Sequence, residues 1–141
     1  MKKSIGIALL VFLGLQACAQ KVQPKDVPDA VKASMEKAFP GITAKWEKEE
    51  ANFEANFSQI GHEMSAVFDP NGTMLETEIE IPVGEFPAKA SAYLNEKYKG
   101  QKVKEASKIT DKDGKVFFEA AFKGKDVLFD ADGNFVKEIT T

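Results

Sequence analysis

Phe53-Glu54-Ala55-Asn56-Phe57 returns further along the chain as Phe118-Glu119-Ala120-Ala121-Phe122. In each copy two Phe flank an Ala at period two, so all three point to one face of a β-strand. Working outward, Val67-Phe68-Asp69-Pro70-Asn71-Gly72 matches Leu128-Phe129-Asp130-Ala131-Asp132-Gly133. Both read as a strand running into a tight Asp/Gly turn. Further out, Val27-Pro28 and Phe86-Pro87 each open a stretch at helical period. Val31, Met35 and Phe39 form one apolar stripe, with Ser34 as its small polar member. Ala90, Leu94 and Tyr98 form the other, with Tyr93 beside them. Each stretch stops at glycine, Gly41 or Gly100, and the Pro-first, Gly-last punctuation is that of a helix.

The chain is therefore a tandem duplication. Ile42 to Lys48 and Gln101 to Thr110 read as the first strand after each helix, and Asp111-Lys112-Asp113-Gly114 as a hairpin turn. Leu75, Thr77, Ile79 and Ile81 alternate with Glu76, Glu78 and Glu80 in a closing strand. The expected class is α+β: two tandem helix-plus-four-strand antiparallel repeats, residues 27–85 and 86–141, in one joint domain. A half of this size buries only a marginal core alone, so the two should share a sheet. That sheet is expected to hold eight strands, continuous or as two abutting sets of four. The helices would pack on one face and leave the other open.

Ahead of the domain, Lys2 and Lys3 precede an apolar run from Ile5 to Leu15 that is too short to span a bilayer. Leu15-Gln16-Ala17-Cys18 follows. Residues 1–18 thus read as a signal peptide of lipoprotein type, with Cys18 the lipidated residue. The competing reading is ordinary cleavage after Ala19. Residues 19–26, polar and without periodicity, read as a tether. The address is export, as a periplasmic or outer-membrane lipoprotein.

Composition narrows the functions. One His and one Cys in 141 residues exclude a Cys/His zinc site and a disulfide framework. All 19 basic residues are Lys. The formal charge of −3 becomes −5 once Lys2 and Lys3 leave with the leader. An acidic chain without Arg is a poor match for nucleic acid.

These features resemble the PepSY-like family, also described as beta-lactamase-inhibitor-protein-like. The paired helix-plus-strand units, the two Phe-Glu-Ala-x-Phe strands and the two Phe-Asp-x-x-Gly turns carry the resemblance over residues 27–141. It implies an exported, non-enzymatic binding module that grips a protein or peptide partner with the open sheet face. The chain has no recognisable inhibitory loop motif and cannot form an internal disulfide. Small-ligand binding or sensing, in a pocket between helices and sheet, is the alternative.

Three residues are candidate partner contacts. Trp46, the single tryptophan, aligns with Glu105 in the repeat. A buried position rarely exchanges Trp for a charge, so Trp46 is expected at least partly exposed. Phe117 and Phe118 must face opposite sides of their strand, and the repeat register sends Phe117 to the open face. His62 sits in a 58–63 loop that reads as a rim. A hydrolase would have to use His62 as its base, and no serine elbow accompanies it. Glu76, Glu78 and Glu80 are expected to form cross-strand ion pairs with Lys102, Lys104 and Lys108 on the open side. The Asp111/Asp113 and Asp130/Asp132 pairs read as turn chemistry rather than a calcium site. No catalytic residue, metal or cofactor is expected.

Overall fold

The computed structural model describes residues 19–141. The expectations placed on the leader and on Cys18 lie outside them. Thirteen elements follow one another: β1 (Gln20–Val22), a 3-10 turn (Pro24–Asp26), α1 (Asp29–Ala38), β2 (Lys45–Glu49), β3 (Asn52–Gln59), β4 (His62–Phe68), β5 (Met74–Glu80), a second 3-10 turn (Val83–Glu85), α2 (Ala88–Lys97), β6 (Glu105–Asp111), β7 (Val116–Phe122), β8 (Lys125–Asp130) and β9 (Phe135–Thr140). All nine strands form one antiparallel sheet in chain order, β1 to β9.

The sheet therefore has nine strands rather than eight. Gln20–Val22, expected in the tether, pairs with β2 with Val22 opposite Trp46. Three polar-rich residues carry no periodicity, and their strand exists only because β2 offers them an edge. A strand thus precedes each helix, β1 before α1 and β5 before α2, so the repeat is not a closed helix-plus-four-strand block. Pairing of β5 with β6 joins the halves.

Both helices lie against one face. Val31 and Met35 are buried beneath α1, with Phe53, Ala55, Phe57 and Phe68 of the sheet. Ala90, Leu94 and Tyr98 of the α2 region meet Ala120, Phe122 and Phe129. The stripes expected from the sequence are the ones buried, because helical period and strand period were both unambiguous there.

The Asp-x-x-Gly turns lock sheet to helix. Asp69 Oδ1 accepts the backbone N–H groups of Asn71 and Thr73, both at 2.9 Å. Asp130 does the same for Asp132 at 3.0 Å and Asn134 at 2.9 Å. Asp111 repeats the pattern at Asp113 and Lys115. The first two turns press on the helix starts. A Cβ at Gly72 (φ +86°) would lie 2.5 Å from the Ala30 carbonyl oxygen, and one at Gly133 (φ +85°) 2.8 Å from the Ala90 nitrogen. Ser34, the polar member of the α1 stripe, donates to the Gly72 carbonyl at 2.6 Å.

Gly114 (φ +79°) has the same backbone need and nothing within 4 Å of an added Cβ. Gly114→Ala should therefore cost only the left-handed backbone strain, about 1–2 kcal/mol. Gly72→Ala and Gly133→Ala should lose more, because a backbone clash adds to the same strain. Urea unfolding of the three variants measures the difference directly. Equal losses would mean that the turns do not bear on the helices.

Candidate functional site

Strand parity decides what lies on the face away from the helices. β5 places Glu76, Glu78 and Glu80 there, β7 places Phe117, Glu119 and Ala121, and β8 places Asp126 and Leu128. This face is not flat. A single cavity of about 930 Å³ is lined by Ala19 and Lys21 at the β1 end and by Gly124 and Thr141 at the β9 end. In a flat sheet those strands would stand about 38 Å apart, at roughly 4.8 Å per step. The sheet thus curls until its two ends border one trough. Register shifts sit at matching places in the two halves, between Val67 and Phe68 and between Leu128 and Phe129. Such bulges bend and twist a strand.

The trough is acidic. Nine carboxylate side chains line it against two lysines, Lys21 and Lys104. The two ion pairs among the described residues, Lys32–Asp29 and Lys112–Asp113, both lie elsewhere. Like charges even stand directly opposite across strands, Glu47 against Glu54 and Glu76 against Asp111. That arrangement is destabilising for a sheet on its own.

The carboxyl groups respond by holding protons. Burial, then the charges of Glu78, Asp126, Glu76 and Glu105, pushes Glu119 up to about 10. Glu119 is 3% exposed, and its Oε2 has no hydrogen-bond partner. Glu76 rises to about 8 through burial and the nearby Glu78, Glu54 and Asp111. Glu54 and Glu78 rise to about 7, again chiefly by burial, with hydrogen bonds from Ser65 and Ser107 offsetting part of the effect. Burial also raises Glu105 and Asp126.

The residues singled out in the sequence fall differently. Trp46 is 8% exposed and faces the helices, its ring 6.2 Å from that of Phe68. Its true counterpart is Ala106: Trp46 stands opposite Ala55 and Ala106 opposite Ala120, the matching alanines of the duplicated motif. Aligning it with Glu105 was a one-residue slip, and a one-residue slip exchanges the faces of a strand. Phe117 does lie on the open face, but it is 8% exposed and packed with Ile109 and Leu128. It fills that face rather than projecting from it.

His62 is exposed, as a loop residue would be, yet 58–63 is not a loop. Ser58 pairs with Glu63 and Gln59 with His62, so β3 and β4 extend to a two-residue turn at Ile60-Gly61. Ile60 is 92% exposed at φ +50°, a left-handed conformation that a β-branched residue rarely adopts. The expected cross-strand ion pairs do not form. Lys108 is paired with Ile79 and so lies on the helix side, while Glu78 faces Ile109 and Glu80 faces Ser107. Reading Glu76, Glu78 and Glu80 as solvated charges missed the trough. The signal that could have found it was the absence of lysine at the facing positions of β4, β6 and β7.

Two outcomes follow. Trp46→Ala should destabilise the fold by about 3–5 kcal/mol, as for a core aromatic; a loss below 1 kcal/mol in urea unfolding would contradict the core placement. The second concerns pH. A carboxyl whose folded pKa is raised binds its proton more tightly in the native state, so its stabilising effect is complete below the unfolded value near 4.5 and is lost as pH rises. Stability should fall from pH 5 through pH 8, the window in which Glu54, Glu78 and Glu76 ionise. Glu119→Gln, which keeps the shape and removes the ionisable proton, should raise stability at pH 8 by about 1–3 kcal/mol and flatten the profile. Denaturant midpoints across this range check both statements.

With that geometry in place, comparison with known proteins is informative. The profile described as "Putative beta-lactamase-inhibitor-like, PepSY-like" matches residues 15–76 and again 51–137. A structure described as a "putative periplasmic" protein of Bacteroides eggerthii superposes with a TM-score of 0.70 at 17% identity, over 81% of this chain and 88% of that one. A DUF2874 family protein of Bacteroides uniformis gives 0.68 at 19% identity, over 80% and 88%. A BLIP-like protein of Bacteroides fragilis gives 0.62 at 23% identity, over 81% and 86%. No curated protein matches the sequence. At these identities the structures speak to the fold, while the double profile match agrees with the tandem repeat. The chain belongs to the PepSY-like, beta-lactamase-inhibitor-like family.

Proposed function

We propose that this chain is an exported, non-enzymatic binding module that docks a protein or peptide partner in the concave sheet face. The observation that carries the reading is the trough itself: about 930 Å³, bordered by both ends of one sheet and lined by nine carboxylates that form no ion pair among the described residues. A fold gains nothing by placing like charges opposite one another and burying them. Such an arrangement makes sense where an incoming group completes it. Similarity to envelope proteins and a leader of lipoprotein type, with Cys18 as the anchor, favour the periplasmic side of a membrane.

Chemistry is no part of the reading. His62 stands exposed next to a hairpin tip, and its neighbours Ser58 and Glu63 are hydrogen-bonded to each other at the exposed surface rather than assembled in a buried cleft. The small-ligand alternative called for a pocket between helices and sheet. The space found there, beside Leu94, Tyr98, Val103 and Phe122, measures about 150 Å³. Typical ligand pockets are roughly 300–1,000 Å³. The trough on the other face is the better docking surface.

Ser65, on β4, lines the trough and is its most direct test position. Immobilised protein exposed to envelope extract should retain a partner. Ser65→Lys places a cation among the carboxylates and should reduce recovery at least about tenfold, with the fold intact by circular dichroism. Equal recovery by the variant would move the docking surface off this face.

A further inference from the structure

Glu119 is the point at which the trough is incomplete. Its carboxyl is nearly fully buried, lines the trough, and leaves Oε2 without a partner. Around it, on the same sheet face, stand Glu78, Glu105 and Asp126. Buried polar groups are almost always satisfied, so a carboxyl oxygen left without a partner, on a residue that lines an open cavity, marks a place for one. The surrounding charge selects a positive one.

The form of that cation follows from the spread of the acids. Among the described residues no three of them converge as the ligands of a metal ion would. Calcium and magnesium, the divalent cations that favour carboxylate oxygens, take six or more oxygens around one point. The carboxylates instead run from Glu47 and Glu49 on β2 to Asp126 on β8, a succession of seven strands. This fits a ligand whose positive charges are themselves spread along a chain. Asn56, Lys21 and Lys104 line the same trough and bring hydrogen-bond donors. A polyamine offers them no acceptor, whereas a polypeptide backbone offers carbonyls. We infer that the trough binds an extended, lysine- or arginine-rich polypeptide segment, with one cationic side chain reaching Glu119. This identifies the partner chemistry of the docking reading above and rests on it. The raised carboxyl pKa values of Glu119, Glu78 and Glu54 add a signature: a cation entering the trough displaces protons from it.

The probes are octalysine, spermine and octaglutamate, titrated calorimetrically into the full chain in buffers of different ionisation enthalpy. Octalysine should bind with salt-dependent affinity and release protons, spermine should bind at least about tenfold more weakly, and octaglutamate should not bind. Glu119→Gln/Glu78→Gln removes two carboxylates without adding bulk, and should cut octalysine affinity at least about tenfold and reduce the proton release. Unchanged affinity in that variant would show mere surface attraction and overturn the inference. Spermine binding as tightly as octalysine would overturn the choice of a polypeptide. Absence of octalysine binding overturns the cationic occupant while leaving docking itself standing, provided that Ser65→Lys still abolishes partner recovery; if recovery also persists, both fall.

Discussion

Two glycine turns pressed against two helix starts hold this structure in register. At Gly72 the turn backbone lies where a Cβ would meet the Ala30 carbonyl, and at Gly133 where it would meet the Ala90 nitrogen. Each turn is closed by an aspartate that accepts two backbone N–H groups. The strands entering these turns, β4 and β8, carry the bulges, and both are buried in the core at Phe68 and Phe129. Since side chains alternate at period two, fixing these strands against the helices fixes the face of every residue in the sheet.

The curled sheet follows from that arrangement. Apolar side chains and helices occupy one face, and bulges at equivalent places in the two halves bend the other face inward. On a flat, solvated sheet, Glu54, Glu76, Glu78 and Glu119 would remain ionised at ordinary pH. On a concave one they crowd one another and lose water, and all four retain protons toward neutrality or beyond. Glutamate in a strand of alternating pattern is common. It is the shared curvature that buries these glutamates close to one another.

Much of the fold was legible in the sequence because its signals are local. The helices, their glycine stops, the Phe-x-Ala-x-Phe strands and the Asp/Gly turns each repeat, and each period is unambiguous over several residues. β1 was not legible, since Gln20–Val22 becomes a strand only by pairing with β2. Trp46 was misplaced because its strand is short and the duplicated copies could be aligned one residue apart. The β3–β4 hairpin was mistaken for a loop because Ser58, Gln59 and His62 look polar, yet they continue the ladder. The trough could not be seen at all from separate strands. Its acids come from seven of them, and their convergence is a property of curvature and register rather than of any local pattern.

The central claim is that unpaired carboxylates crowd a concave face and keep their protons. Carbon-13 NMR of the glutamate side-chain carboxyls, with Glu119 assigned by loss of its signal in Glu119→Gln, tests it residue by residue. The account predicts that Glu119 stays protonated through pH 7, with Glu76 titrating near 8. Titration of Glu119 and Glu76 near 4.5, like exposed glutamates, would contradict it.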